Sequence, residues 1–287
     1  MAQRISGLKD ISDQYRAILC DVWGVLHNGQ SVYRAAEDAL MRYREAGGRV
    51  VLLTNSPRPN EGVSAQLDDL RVDRTAYDAI VTSGDVTRTL IAQAPVPIYH
   101  LGPQRDLPLF NGLNVELVDQ ANCKAVVCTG LFEDEVEKPD DYRSSLQALA
   151  NLDVPFICAN PDLVVERGDR LIYCAGSLAK LYNELGGKTL VAGKPHAPIY
   201  RLAVEKLASL GDGEITQAEI IAIGDGMPTD VAGALGNGFD LLYISAGIHS
   251  QEYGPADNPD EEALQRFLSR HQADPNAWMP RLSWAAA

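Results

Sequence analysis

The stretch Ala17-Ile18-Leu19-Cys20-Asp21-Val22-Trp23-Gly24-Val25 decides the fold. Its apolar run is too short for a helix of ordinary length, and it ends on an acid followed by Trp23-Gly24. Such a run reads as a strand buried on both faces. Val50 to Leu53 repeats the pattern and is followed by Thr54-Asn55-Ser56-Pro57. Ile80-Val81 is a third run. Ile220 to Ile223 is a fourth, leading into Gly224-Asp225-Gly226-Met227-Pro228-Thr229-Asp230. Between the strands lie helical patterns. Ala35 to Ala46 carries Ala35, Ala39, Leu40 and Tyr43 at helical spacing, and Gly47-Gly48 stops it. Pro59-Asn60 opens another helix. Continuous apolar strands alternating with helices predict an α/β protein with a parallel sheet covered on both faces.

The middle of the chain has its own set of elements. Ile98 to Leu101, Ala125 to Cys128 and Phe156 to Cys158 read as strands, and Tyr142 to Leu152 and Ala175 to Leu185 as helices. The acidic run Glu133 to Asp141 reads as a solvated loop. The tail after Gly254 holds one further helix, Asp260 to Ser269.

Composition bounds the function classes. The 287 residues carry 25 Lys plus Arg against 39 Asp plus Glu, a formal net charge of −14. A chain this acidic lacks the basic footprint that a nucleic-acid backbone requires, and it repels anionic headgroups. No apolar stretch approaches membrane-spanning length, so neither a nucleic-acid nor a membrane partner is expected. The five cysteines form no C-x-x-C pair. They read as buried thiols in a reducing compartment, which predicts a cytoplasmic location.

Ligands of open α/β sheets bind beyond the carboxyl ends of the strands. Asp21, Thr54-Asn55-Ser56 and Asp225 to Asp230 all follow strands, and Gly193-Lys194-Pro195 lies between the last two. Taken singly, each piece is more often a cap or a turn. Their common placement favours phosphoryl transfer through a covalent aspartyl-phosphate. Asp21 would attack phosphorus. Asp21 and Asp225 offer hard oxygens to Mg²⁺, which offsets the repulsion between two anions. Thr54 and Asn55 would donate to the phosphoryl oxygens, and Lys194 would neutralise the transferring group.

These same residues, Asp21 to Val25, Thr54-Asn55, Lys194 in G-K-P and Asp225 to Asp230, resemble the four motifs of the haloacid dehalogenase-like superfamily. About 140 residues separate the second motif from the third, far more than one crossover needs. That spacing is similar to class IIA of the superfamily, the sugar-phosphate, phosphoglycolate and nitrophenyl-phosphate phosphatase-like proteins. The resemblance implies a Rossmann-like core of residues 1–84 and 186–287 with an inserted α/β cap domain of residues 85–185. It further implies Mg²⁺ and hydrolysis of a small phosphorylated metabolite. By position, Asp21 would be nucleophile and metal ligand, joined at the metal by the Trp23 carbonyl, Asp225 and Asp230. Thr54, Asn55 and Ser56 would bind phosphate, and Lys194 would orient it. A homodimer is compatible with the resemblance, because family caps often mediate pairing.

One departure matters. The resemblance places a second aspartate two residues after the nucleophile, to protonate the leaving oxygen and activate water. Here that residue is Trp23. Its carbonyl survives, but indole has no useful acidity. The expected consequence is either a preference for leaving groups stable as anions or a borrowed acid. His27 is the nearest candidate for that acid, although an exposed structural histidine is the plainer reading. Asn160 and Asp162 are others. A non-catalytic protein that binds a phosphometabolite is the competing expectation, and phosphotransferase or mutase chemistry a third.

Overall fold

The computed structural model describes residues 2–168, 170–211 and 213–285. Its strands in chain order are β1 (Gln3–Arg4), β2 (Ala17–Cys20), β3 (Arg49–Thr54), β4 (Ala79–Thr82), β5 (Ile98–Leu101), β6 (Ala125–Cys128) and β7 (Phe156–Cys158). They continue with β8 (Val164–Arg167), β9 (Arg170–Tyr173), β10 (Thr189–Val191), β11 (Ile220–Gly224), β12 (Asp240–Ile244) and β13 (Ala277–Met279). The α-helices are α1 (Arg34–Glu45), α2 (Asn60–Asp69), α3 (Ser83–Gln93), α4 (Arg143–Asn151), α5 (Ala175–Glu184), α6 (Ala197–Ser209), α7 (Ala232–Gly236) and α8 (Glu261–Arg270).

The chain forms two compact units. One comprises Met1–Thr54, Ala65–Val81 and Tyr200–Ala287, and the other Asn55–Ser64 and Thr82–Ile199. In the first, a sheet runs in the order β1-β13-β12-β11-β2-β3-β4. The pairings from β1 through β3 are all parallel. Ala17, Ile18, Leu19 and Cys20 of β2 are buried to a residue, as a strand covered on both faces must be. Helix α1 buries Ala36, Ala39, Leu40 and Tyr43, an i, i+3, i+4, i+7 stripe. The chain turns off it through Gly47, which adopts φ +97°. Gly48 then follows so closely that a Cβ there would collide with the Tyr43 ring. The Tyr43 hydroxyl is itself committed, donating to the Tyr15 carbonyl at 2.8 Å.

The second unit has a parallel sheet in the order β10-β7-β6-β5 and an antiparallel hairpin, β8-β9. The boundary expected at residue 185 falls before β10, which pairs with β7. Helices α4 and α5 supply Leu146, Leu149, Leu178, Leu181 and Tyr182 to a core with Phe156. Phe156 and Tyr182 stack with centroids 4.8 Å apart. The acidic run is not simply solvated. Asp134 is largely buried and accepts from Arg105 at 2.5 Å and from Arg167 at 3.2 Å. Burial pushes its carboxyl up, but the two guanidinium groups outweigh burial and hold it below its ordinary value. No helix among the described residues is long and apolar enough to cross a membrane.

The close approach at Gly48 gives a stability test. Gly48→Ala forces the Tyr43 ring out of its seat, and overpacking of this kind costs about 1–3 kcal/mol. Urea unfolding of the variant is expected to show a lowered midpoint with an unchanged slope.

Candidate active site

Strand register brings the first group of predicted residues together. Cys20 of β2 lies opposite Ile223 of β11 on one side and Leu52 of β3 on the other. Asp21 therefore leaves the middle strand of three, with Asp225 beyond the end of one neighbour and Thr54 closing the other. The Asp21 N–H donates to the Ile223 carbonyl at 2.8 Å and ties these ends together. Asp230 arrives from the same side as Asp225, on a π-helical turn over Met227–Val231. Oxygens of Asp21, Asp225 and Asp230 all lie within 4.8 Å of one another, and all three residues are buried.

Two glycines make this convergence possible. A Cβ at Gly24, which adopts φ +83°, or at Gly247 would collide with the Asp225 carboxylate. The carboxylates also accept from the backbone. Asp225 Oδ2 takes the Ile248 N–H at 2.8 Å, and Asp230 Oδ2 takes the Gly226 N–H at 3.0 Å. Three buried anions this close repel by on the order of 3–4 kcal/mol per pair at an effective dielectric of about 20. Carboxylate oxygens are hard donors, and such a set fits a divalent cation of the Mg²⁺ or Ca²⁺ type.

The loop after Asp21 is shaped by Trp23. Its ring covers Gly29, where a Cβ would lie 2.5 Å from the indole, and meets His27 edge-on with centroids 4.9 Å apart. His27 is not the exposed histidine expected from the sequence, being 1% exposed. Its Nδ1 accepts the Gly29 N–H at 2.9 Å, so the neutral ring carries its proton on Nε2. Burial pushes its pKa down to about 4. At neutral pH His27 has no imidazolium proton to give, which removes it as the borrowed acid.

The remaining predicted residues meet in the second unit. The Asn55 amide is a bracket. Its Oδ1 accepts the Lys194 N–H at 2.7 Å, and its Nδ2 donates to the Lys194 carbonyl at 3.2 Å and to Asp162 Oδ1 at 2.9 Å. Gly193 fits against this bracket because a side chain there would meet Asn55, Ser83 and Pro161. Lys194 is buried. Ser56 faces its own loop, its Oγ accepting the Arg58 N–H at 3.3 Å. Asp162 accepts at one oxygen from Asn55, while Asn160 Oδ1 accepts the Asp162 N–H at 3.0 Å. The sequence reading missed the Gly247-Ile248-His249 segment. The signal was available, since Leu241 to Ile244 is another apolar run with a glycine just beyond its end.

Comparison with known proteins is consistent with this geometry. Residues 18–116 match the family model of haloacid dehalogenase-like hydrolases, and residues 191–271 match a second, HAD-hydrolase-like model. A hydrolase of the haloacid dehalogenase-like family from Brucella suis is 49% identical, with a TM-score of 0.87 over 98% of this chain and 100% of that one. The mouse haloacid dehalogenase-like hydrolase domain-containing protein 2 is 27% identical over 236 residues, 81% of this chain and 85% of the relative. A 4-nitrophenylphosphatase from Thermotoga maritima shares the fold at 21% identity and a TM-score of 0.69, over 93% of this chain and 95% of that one.

The buried imidazole makes a pH prediction. His27 titrates lower in the folded state than in the unfolded chain, so unfolding takes up a proton between about pH 6.5 and 4. Its contribution is complete above about pH 6.5 and falls away as pH drops through that window, by up to about 2 kcal/mol at pH 5. Urea unfolding at pH 7 and pH 5 is expected to show a smaller loss for His27→Gln than for the wild type.

Proposed function

The chain belongs to the haloacid dehalogenase-like hydrolases, and from that premise we propose that it is a Mg²⁺-dependent phosphohydrolase of a small phosphorylated metabolite, working through an aspartyl-phosphate. The observation that carries the reading is the convergence of Asp21, Asp225 and Asp230 at the ends of β2 and β11. Asp21, Asp225, Asp230 and the Trp23 carbonyl would hold the metal, which when bound supplies the positive charge that lets two anions approach. A carboxylate oxygen of Asp21 attacks phosphorus as the bond to the leaving oxygen breaks. Water then attacks the same phosphorus and releases Asp21 as a carboxylate with inorganic phosphate. Thr54 and the 54–56 backbone would donate to the phosphoryl oxygens. The Asn55 side chain is spent on Lys194 and Asp162, so its share falls to its main chain. Lys194 would supply the neutralising cation.

Leaving-group chemistry follows from Trp23. With indole where the family pattern has a carboxyl, and with His27 neutral, neither side chain of the loop after Asp21 protonates an alkoxide. General acid assistance is worth about 10²–10⁴-fold. Acyl and aryl phosphates, whose leaving groups are stable as anions, lose least by its absence. The same feature favours a second reading, a protein that binds a phosphometabolite and turns it over negligibly.

Phosphate release from acetyl phosphate, p-nitrophenyl phosphate and glycerol phosphate, with and without Mg²⁺, tests the proposal. Acetyl and p-nitrophenyl phosphate are expected to turn over only with Mg²⁺, glycerol phosphate about 10²-fold or more slowly, and Asp21→Asn not at all. Equal rates on all three would overturn the leaving-group argument. Turnover that survives in Asp21→Asn would overturn the covalent mechanism, and no turnover with intact metal binding would support the second reading.

A further inference from the structure

The π-helical turn that carries Asp230 begins without a side-chain cap. Gly226 stands at its N-cap, and a helix start leaves several N–H groups in want of acceptors. Two of them are taken by groups near the carboxylates. The Gly226 N–H goes to Asp230 Oδ2 at 3.0 Å, and the Met227 N–H goes to His249 Nε2 at 3.0 Å. His249 lies 22 positions further along the chain, so this cap is a tertiary one. Its own segment is fixed independently. The Ser245 and Ala246 N–H groups donate to the Met279 and Pro280 carbonyls at 3.0 and 2.9 Å, and the His249 ring lies against Phe267 of α8 with centroids 5.4 Å apart. One residue before His249, the Ile248 N–H holds Asp225 Oδ2 at 2.8 Å. One residue earlier still, Gly247 lets the backbone touch that carboxylate.

We propose that His249 is a positioning residue for the carboxylate cluster. Through Met227 it fixes the turn bearing Asp230, while its neighbour Ile248 fixes Asp225, so that one short segment after β12 sets both acids. This inference rests on the metal reading above. Only a ring nitrogen without a proton can accept from Met227, so the neutral ring carries its proton on Nδ1. Loss of that acceptor leaves the Met227 N–H to find another, and the turn that aims Asp230 loosens. Partners that orient metal ligands in this indirect way are worth about 10–100-fold in metal affinity.

The test is Mg²⁺ affinity of the whole protein without substrate, by isothermal titration calorimetry, for wild type, His249→Phe, His249→Gln and Asp225→Asn. His249→Phe keeps a ring against Phe267 but has no acceptor. His249→Gln restores an acceptor without the ring. The expected result is about tenfold weaker Mg²⁺ binding in the Phe variant, most of it recovered in the Gln variant, and binding abolished in Asp225→Asn. A Phe variant that binds Mg²⁺ as tightly as the wild type overturns this inference and leaves the metal reading standing. So does a Gln variant as weak as the Phe variant, because the ring rather than its acceptor would then be what matters. A wild-type protein with no Mg²⁺ uptake overturns the metal reading and takes this inference with it.

Discussion

Like charges that are buried together must be held by something stronger than their repulsion. In this protein Asp21, Asp225 and Asp230 meet within 4.8 Å, away from bulk water. What holds them is the register of two parallel strands. Cys20 opposite Ile223 is a backbone pairing between two fully buried strands, and shifting it by one residue would turn every side chain of β2 to the other face. The core thus fixes the register, and the register fixes the acids. Their repulsion becomes a standing preference for a cation, set by packing far larger than the site itself.

The same logic explains why so much of the site is backbone. Ile248 and Gly226 spend N–H groups on carboxylates, and Gly24 and Gly247 spend the absence of a side chain. Peptide donors cost little entropy to position once the strand behind them is fixed. Backbone donors give only partial charge, so they steady the carboxylates without replacing a cation.

Where sequence and structure agree, the reason is burial on two faces. Ile98 to Leu101, Ala125 to Cys128 and Phe156 to Cys158 read as strands and are strands to the residue; the last two lie in the sheet interior, where a short continuous apolar run fits. The hairpin β8-β9 escaped that reading, since Val164-Val165-Glu166-Arg167 is only half-buried and carries two charges. Edge strand β1 is two residues long, which no periodicity can reveal. At the site, the acids and Thr54 were legible because each lies at or just beyond the end of a strand's apolar run. The environment of His27 was not, because a single imidazole carries no pattern and its contacts with Trp23 and Gly29 form only in the folded loop. The Asn55 bracket was hidden for a different reason. Its partners lie 107 and 139 positions away, and only the folded chain brings them together.

Trp23 is best understood as one member of a set. The indole needs a residue without a Cβ beneath it, which Gly29 supplies, and it lies edge-on to a histidine that burial keeps neutral. Placing an aspartate at position 23 would do more than restore a carboxyl. It would uncover Gly29 and remove the ring that meets His27. The chemistry of this loop belongs to the three residues jointly, and an acid cannot be added at position 23 without dismantling the packing they share.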